Sequence, residues 1–183
     1  MPLPSPVPRE EIHCRRIEMR GYRRTDGLYD IEGRVVDTKP FDFHRRGATV
    51  PVSAGIALHD LWVRMVVDER FVVRDVIAVS DATPFAVCRE AAPTLTALIG
   101  AQIKPGWSAL VKERLGGSQS CTHLMELMLP LATAAYQALV AVRRGQAEPL
   151  GRDQRPAKID SCYAYASHRP IVQRLWPEHY SGR

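Results

Sequence analysis

The chain has 183 residues, 45% of them apolar and 25% charged, with a net charge of +5 at neutral pH. This is the composition of one globular domain with tails, long enough to bury a core, and it excludes a fibrous or wholly disordered chain. No run of about 18 apolar residues occurs, so no apolar helix for crossing a membrane is expected. The basic residues are scattered, with Arg15-Arg16, Arg20 with Arg23-Arg24, and Arg45-Arg46 as the tightest groups. Without a continuous basic stripe or a nucleic-acid motif, they read as solvated surface, and neither nucleic acid nor membrane is expected as a partner.

In chain order, residues 1–11 carry prolines at 2, 4, 6 and 8 and read as a disordered, polyproline-like lead. They lack the basic start and apolar stretch of a secretory signal. A single α+β domain is then expected over 12–145. Residues 12–24 alternate loosely and end at the turn signal Thr25-Asp26-Gly27, and residues 29–37 read as the returning strand. Residues 39–52, broken by Pro40, Gly47 and Pro51, read as a loop. Residues 56–67 and 71–79 are rich in β-branched and aromatic types and form the clearest hairpin, joined at Asp68-Glu69-Arg70. Period two places Ala57, His59, Leu61, Val63, Met65 and Val67 on a core-facing side. The opposite side carries Trp62, an exposed face through which two copies could pair as a homodimer.

Helical spacing dominates afterwards. Residues 86–103 carry Leu95, Leu98, Ile99 and Ile103 at helical intervals around Pro93, and residues 106–115 predict a short helix. Residues 121–144 predict a long one, with Leu124, Leu127, Leu131, Ala134 and Ala138 on its apolar face and a kink at Pro130. Residues 146–158 read as a polar linker, and 159–183 as a tail that returns as a strand or lies across the domain. Strands first and helices second predict an antiparallel sheet with three helices packed on one face.

The residues that could carry chemistry cluster in type. Cys14, Cys88, Cys121 and Cys162 lie far apart with no CxxC pair, which favours a reducing, cytoplasmic setting and free or ligating thiols over a disulfide framework. Cys121-Thr-His123-Leu-Met-Glu126 follows the breaker run 116–120 and opens the long helix. Unpaired backbone N–H groups and the positive end of the helix dipole favour a thiolate there. His123 and Glu126, spaced i and i+3, share a helical face.

Cys88 follows Asp81-Ala-Thr-Pro84 between a strand end and a helix start, and His59 is a lone imidazole on an apolar strand face. If the fold gathers them, His59, Cys88, Cys121 and His123 form a mixed nitrogen and sulfur set suited to zinc or iron. Asp60, Asp81 or Glu126 would then serve as an oxygen ligand or orienter. The stretch 19–33 sets Arg20, Arg23 and Arg24 among Tyr22, Tyr29, Asp30 and Glu32. It reads either as an ion-paired exposed hairpin or as an arginine clamp for a carboxylate or phosphate, with Tyr22 and Tyr29 against an aromatic body. No GxGxxG, Walker loop, GxSxG or HExxH occurs, so no nucleotide cofactor is expected.

The strings 19–27, 30–40, 55–62 and 121–127 resemble the bacterial family catalogued as DUF2889, of unknown function, over about residues 17–176. More distantly, the order of strand, hairpin, cysteine-bearing loop, helix and Cys-x-x-Leu-x-Glu-like helix start over about 56–142 is similar to the NifU/SufU-type iron–sulfur scaffold. That resemblance implies three cysteines and an Asp or His around one metal or cluster, with Cys88 and Cys121 at its second and third cysteine positions. At the first, His59-Asp60 stands for Cys-Gly-Asp and removes a thiolate, which argues for a repurposed pocket over cluster assembly.

The residues therefore suggest an enzyme of lyase or hydrolase type acting on a small anionic, aromatic catabolic intermediate. Its zinc or iron would sit on His59, Cys88, Cys121 and His123, with Glu126 or Asp60 as general acid and base and Arg20, Arg23 or Arg24 holding the anion. A metal-free version uses Cys121 as nucleophile with His123. The alternatives are a non-catalytic metal or iron–sulfur carrier, and a module whose cysteines are merely buried.

Overall fold

The chain folds, in a computed structural model, with residues 3–47, 49–143, 149–151 and 153–182 described. They divide into two compact units, Met1–Val142 and Arg143–Arg183. In the first, four strands, β1 (Cys14–Arg23), β2 (Tyr29–Thr38), β3 (His59–Val67) and β4 (Val73–Ala82), form one sheet in the order β1-β2-β3-β4, antiparallel throughout. Each hairpin is closed by the chemistry its turn offers. Gly27 takes φ +85° and the Leu28 N–H donates to Asp26 Oδ1 at 3.2 Å. At the second tight turn Asp68 Oδ1 accepts from the N–H groups of Arg70 and Val72, both at 2.9 Å.

Strand alternation divides the sheet as the residue types demand. Tyr29, Ile31 and Val35 of β2 and Leu61, Val63, Met65 and Val67 of β3 are buried on the inner face. The outer face carries Trp62 beneath the Arg34 guanidinium, 4.5 Å from its ring centre, and the pairs Arg34–Asp60 and Arg64–Glu32. The inner apolar rows end abruptly at one edge of the sheet. There the register sets Arg15 opposite Asp37 and Asp37 opposite His59, so three polar side chains lie in one row on the inner face.

The C-terminal half departs from expectation in its first segment. Residues Ala86–Leu98 form a 3-10 helix around Pro93, and the chain then turns at Gly100 (φ +83°). Proline removes one backbone donor and the left-handed glycine stops the turn of helix. Residues 100–103 run back beside the start of β4, with Val73 N donating to Ala101 O at 2.8 Å and Ile103 N to Phe71 O at 2.9 Å. Two α-helices follow, α1 (Trp107–Leu115) and α2 (Thr122–Leu139), the second continuous through Pro130. It ends short of the expected 144, a residue outside those described.

The three segments do not share one layer. α2 lies across β1, β2 and β3, the 3-10 helix packs on β4, and α1 packs on α2 and the 3-10 helix. Close approach of α2 depends on two glycines. A Cβ on Gly21 would stand 2.6 Å from Ala138 Cβ, and one on Gly33 3.1 Å from Leu131 Cδ2. With its C-terminal half fixed over the middle of the hairpin, α2 directs its N-terminus to the end of the sheet that carries Asp37 and His59.

The second unit holds a bridge between Leu150 and Pro156, a short 3-10 turn at Tyr163–Tyr165, α3 (Pro170–Leu175) and a 3-10 turn at Pro177–His179. Within it Arg169 lies 4.0 Å from the centre of the Tyr163 ring, and Tyr165 and Trp176 pack with ring centres 6.0 Å apart. Of the polar linker expected over 146–158, residues 146–148 and 152 lie outside those described.

Candidate functional site

Asp37 is the inner anchor of the site, 2% exposed and the one buried charged side chain among the described residues. Arg15 holds it from the neighbouring strand in a two-pronged bond, Nε to Oδ1 at 2.8 Å and Nη2 to Oδ2 at 2.9 Å. His13 Nε2 lies 3.2 Å from Oδ1 and His59 Nδ1 lies 3.0 Å from Oδ2. Burial opposes the charge on Asp37, but the hydrogen bonds and positive charge of Arg15 outweigh it, so the carboxyl stays below its ordinary range.

An ionised Asp37 accepts only, so His59 donates from Nδ1 and keeps the lone pair on Nε2. Burial, with the adjacent His123, holds the His59 imidazole below its usual pKa against the pull of Asp37. His59 is thus a neutral, oriented imidazole, the state that binds metals or takes a proton.

From the other side the first turn of α2 brings His123, whose ring centre lies 4.0 Å from that of His59. His123 Nδ1 is 3.9 Å from the sulfur of Cys121, the residue that precedes α2. That contact lowers the Cys121 thiol pKa against the effect of burial, and the N–H groups of Leu124 and His123 add to it. The same contact raises the His123 pKa. Thiolate and imidazolium therefore stabilise one another at a helix start, where the backbone favours negative charge.

These groups open on a pocket of about 540 Å³, a volume suited to a small molecule. His59, Cys88, Cys121 and His123 all line it, with Phe85 as apolar wall. The Thr94 hydroxyl donates to Ala91 O and accepts from Ser120 Oγ, both at 2.6 Å, tying the 3-10 helix to the loop that leads into α2.

The remaining candidates lie elsewhere. Asp60 follows His59 on β3, so strand alternation turns it to the outer face, where Arg34 holds it in two bonds of 2.8 and 2.6 Å. Glu126, 55% exposed, reaches 3.6 Å from Arg15 and does not line the pocket. Arg20, Tyr22, Arg23, Arg24 and Tyr29 stand at the far end of the β1–β2 hairpin from the Arg15–Asp37 pair. Eight residues of strand separate Arg23 from Arg15, on the order of 26 Å.

The arginine groups at that far end are already engaged. Arg20 pairs with Glu18, Arg24 with Asp26 and Asp30, and Arg23 lies 6.0 Å over the Tyr29 ring. Of the two sequence readings of this stretch, the geometry is that of the ion-paired hairpin. Asp37, Arg15 and His13 were not foreseen as site residues. Carrying period two through β2 from Ile31 and Val35 would have placed a carboxylate on an apolar face at Asp37.

An α+β protein with a cysteine–histidine pocket between sheet edge and helix start is the class this architecture defines. The chain belongs to the family described as "Protein of unknown function (DUF2889)", which matches residues 13–137 and stops short of the 176 expected from the sequence strings. No curated protein matches the chain. No solved structure matches it either.

Asp37, His59 and His123 offer donor atoms that lie within 4.8 Å of one another. Asp37 is already committed to Arg15 and His13, which suits it to orienting His59 from behind. A tetrahedral zinc bound by one sulfur and one nitrogen needs those atoms roughly 3.5 Å apart. The 3.9 Å between Cys121 Sγ and His123 Nδ1 is close to that spacing. Cys88 and Cys121 lie outside that close-set trio, the Cys121 sulfur reaching His123 alone, so an ion shared by His59, His123 and Cys121 would require the thiol to close toward His59.

Proposed function

We propose that this protein is an enzyme of lyase or hydrolase type acting on a small anionic, aromatic molecule, with zinc or iron held by His59, His123 and Cys121. The observation that carries the reading is the pocket itself, which draws on a neutral His59 oriented by buried Asp37 and on a Cys121 thiol favoured as thiolate. A metal on this donor set would act as a Lewis acid toward a bound oxygen or activate water. The chain's own residues supply the rest. Arg15 and His13 keep Asp37 charged, Asp37 fixes the His59 tautomer, and Phe85 gives the pocket an apolar wall. With Asp60 and Glu126 turned away, Cys88 and Glu90 are the further pocket-lining residues with a thiol or carboxylate to offer.

The runner-up is a metal or iron–sulfur carrier related to the NifU/SufU-type scaffold. It is favoured by Cys88 and Cys121 lining one pocket. Elemental analysis of protein purified from unsupplemented medium, beside Cys121→Ala and His59→Ala forms, tests the proposal. Stoichiometric zinc or iron in the wild type, lost in both variants, is expected. A wild type without metal overturns the metal site and leaves Cys121 as a bare nucleophile beside His123. A brown protein with acid-labile sulfide would replace the enzyme with the carrier.

A further inference from the structure

The arginines at 20, 23 and 24 stand at the far end of the sheet from the cysteine–histidine pocket, whereas another pair of arginines lies beside it. The β2–β3 loop is tied down by the bridge between Phe43 and Val52, with N–O distances of 2.8 and 2.9 Å, and by Ala54 N donating to Asp42 Oδ1 at 2.9 Å. At its tip Gly47 takes φ +78°, which lets the chain reverse. Just before it, Arg45 Nη1 donates to the carbonyl of Pro84 at 2.8 Å and thereby docks on the connection between β4 and the 3-10 helix.

Around that contact lies a second cavity, of about 320 Å³, lined by Arg45, Arg46 and Phe85 among others. It shares Pro84 and Phe85 with the cysteine–histidine pocket. Arg45 Nε is buried and has no hydrogen-bond partner among the described residues. Among the described residues Arg45 and Arg46 are in no ion pair, a state they share with Arg16, Arg23, Arg70, Arg89 and Arg114, and they are the two of these that line the second cavity. The Arg45 Nε–H is closed to solvent, so an anion in the cavity would meet the guanidinium Nη groups of Arg45 and Arg46 instead. Phe85, 55% exposed at the common wall, offers a flat apolar surface between the two cavities.

We infer that Arg45 and Arg46 form the anion-binding end of an extended ligand site. It would take an aryl carboxylate or aryl phosphate, with the ring on Phe85 and the reacting end among His59, Cys88, Cys121 and His123. Guanidinium groups match either anion in geometry, and the planar ring suits Phe85. The inference rests on the enzyme reading for its reacting end, but its anion subsite is separable from the metal.

Benzoate and phenyl phosphate, with neutral benzamide as control, are titrated by calorimetry into full-length wild type, an Arg45→Ala/Arg46→Ala form and an Arg45→Lys/Arg46→Lys form. Thermal unfolding and bound metal are measured on each. At least one anion is expected to bind the wild type, the alanine form to lose about tenfold or more in affinity, and the lysine form to retain part of it. Benzamide should not distinguish the three. Absence of binding of both anions to the wild type overturns the subsite, as does equal affinity in the wild type and the alanine form. If the alanine form does not fold, the single Arg46→Ala form, altered at an exposed side chain, decides: anion affinity equal to that of the wild type overturns the proposal. Arginine-dependent binding in a protein without metal would leave the subsite standing while the metal reading falls.

Discussion

Cys121 shows how one residue's reactivity follows from its neighbours. Burial alone would raise its thiol pKa, but the His123 contact and the first N–H groups of α2 reverse the balance. Alkylation by iodoacetamide, read at the Cys121 peptide by mass spectrometry in metal-stripped protein, should therefore reach half its plateau rate at a lower pH than a free thiol does in the same buffer. In His123→Gln the imidazolium is lost while burial persists, so the midpoint should move upward. An unchanged midpoint in that variant would show that the imidazole does not stabilise the thiolate. This part of the site was legible in the sequence because a breaker run, a cysteine and a histidine in i, i+2 spacing mark a helix start. Asp37 was not, since a carboxylate at a strand end looks like a turn residue until its register partners Arg15 and His59 are known.

At the scale of elements, the seating of α2 on the sheet decides whether His123 meets His59 at all. Gly21 and Gly33 both admit the helix, but they differ in what stands above them. A methyl on Gly21 would meet the Cβ of Ala138, which no side-chain rotation can withdraw. One on Gly33 would meet Met19 Sδ at 2.9 Å, the flexible end of a thioether that can swing aside. Gly21→Ala should cost about 1–3 kcal/mol of stability in denaturant unfolding, and Gly33→Ala clearly less. Equal losses would mean that α2 is not held by this approach.

The four strands themselves were legible within a few residues, because alternation on half-buried strands is a strong signal. The 3-10 helix was not. Its apolar spacing is helical, and only Pro93 and Gly100 in their actual conformations separate it from an α-helix. The arginines of β1 posed a different difficulty. Composition shows that an arginine is present but not which carboxylate it meets: Arg20 takes Glu18 two residues along its own strand, and Arg24, just beyond β1, takes Asp26 in the turn and Asp30 on the facing strand.

For the molecule as a whole, the apolar core and the candidate site draw on the same stretch of chain. The buried cluster runs from Tyr29 to Leu139, with Met19 and Val142 as the outermost residues packed on it. Every residue lining the cysteine–histidine pocket lies between His59 and His123. The family match, 13–137, covers the same region. A chain cut after Val142 keeps all four strands, α1 and α2, and thus the apolar surface whose burial drives folding. It should unfold cooperatively in denaturant, show a mixed helix and strand spectrum in circular dichroism, and carry the same metal per chain as the full-length protein. A truncated chain with helical signal but no cooperative transition would place part of the folding determinants beyond residue 142. Loss of metal with folding intact would instead overturn the placement of the metal site within the first unit.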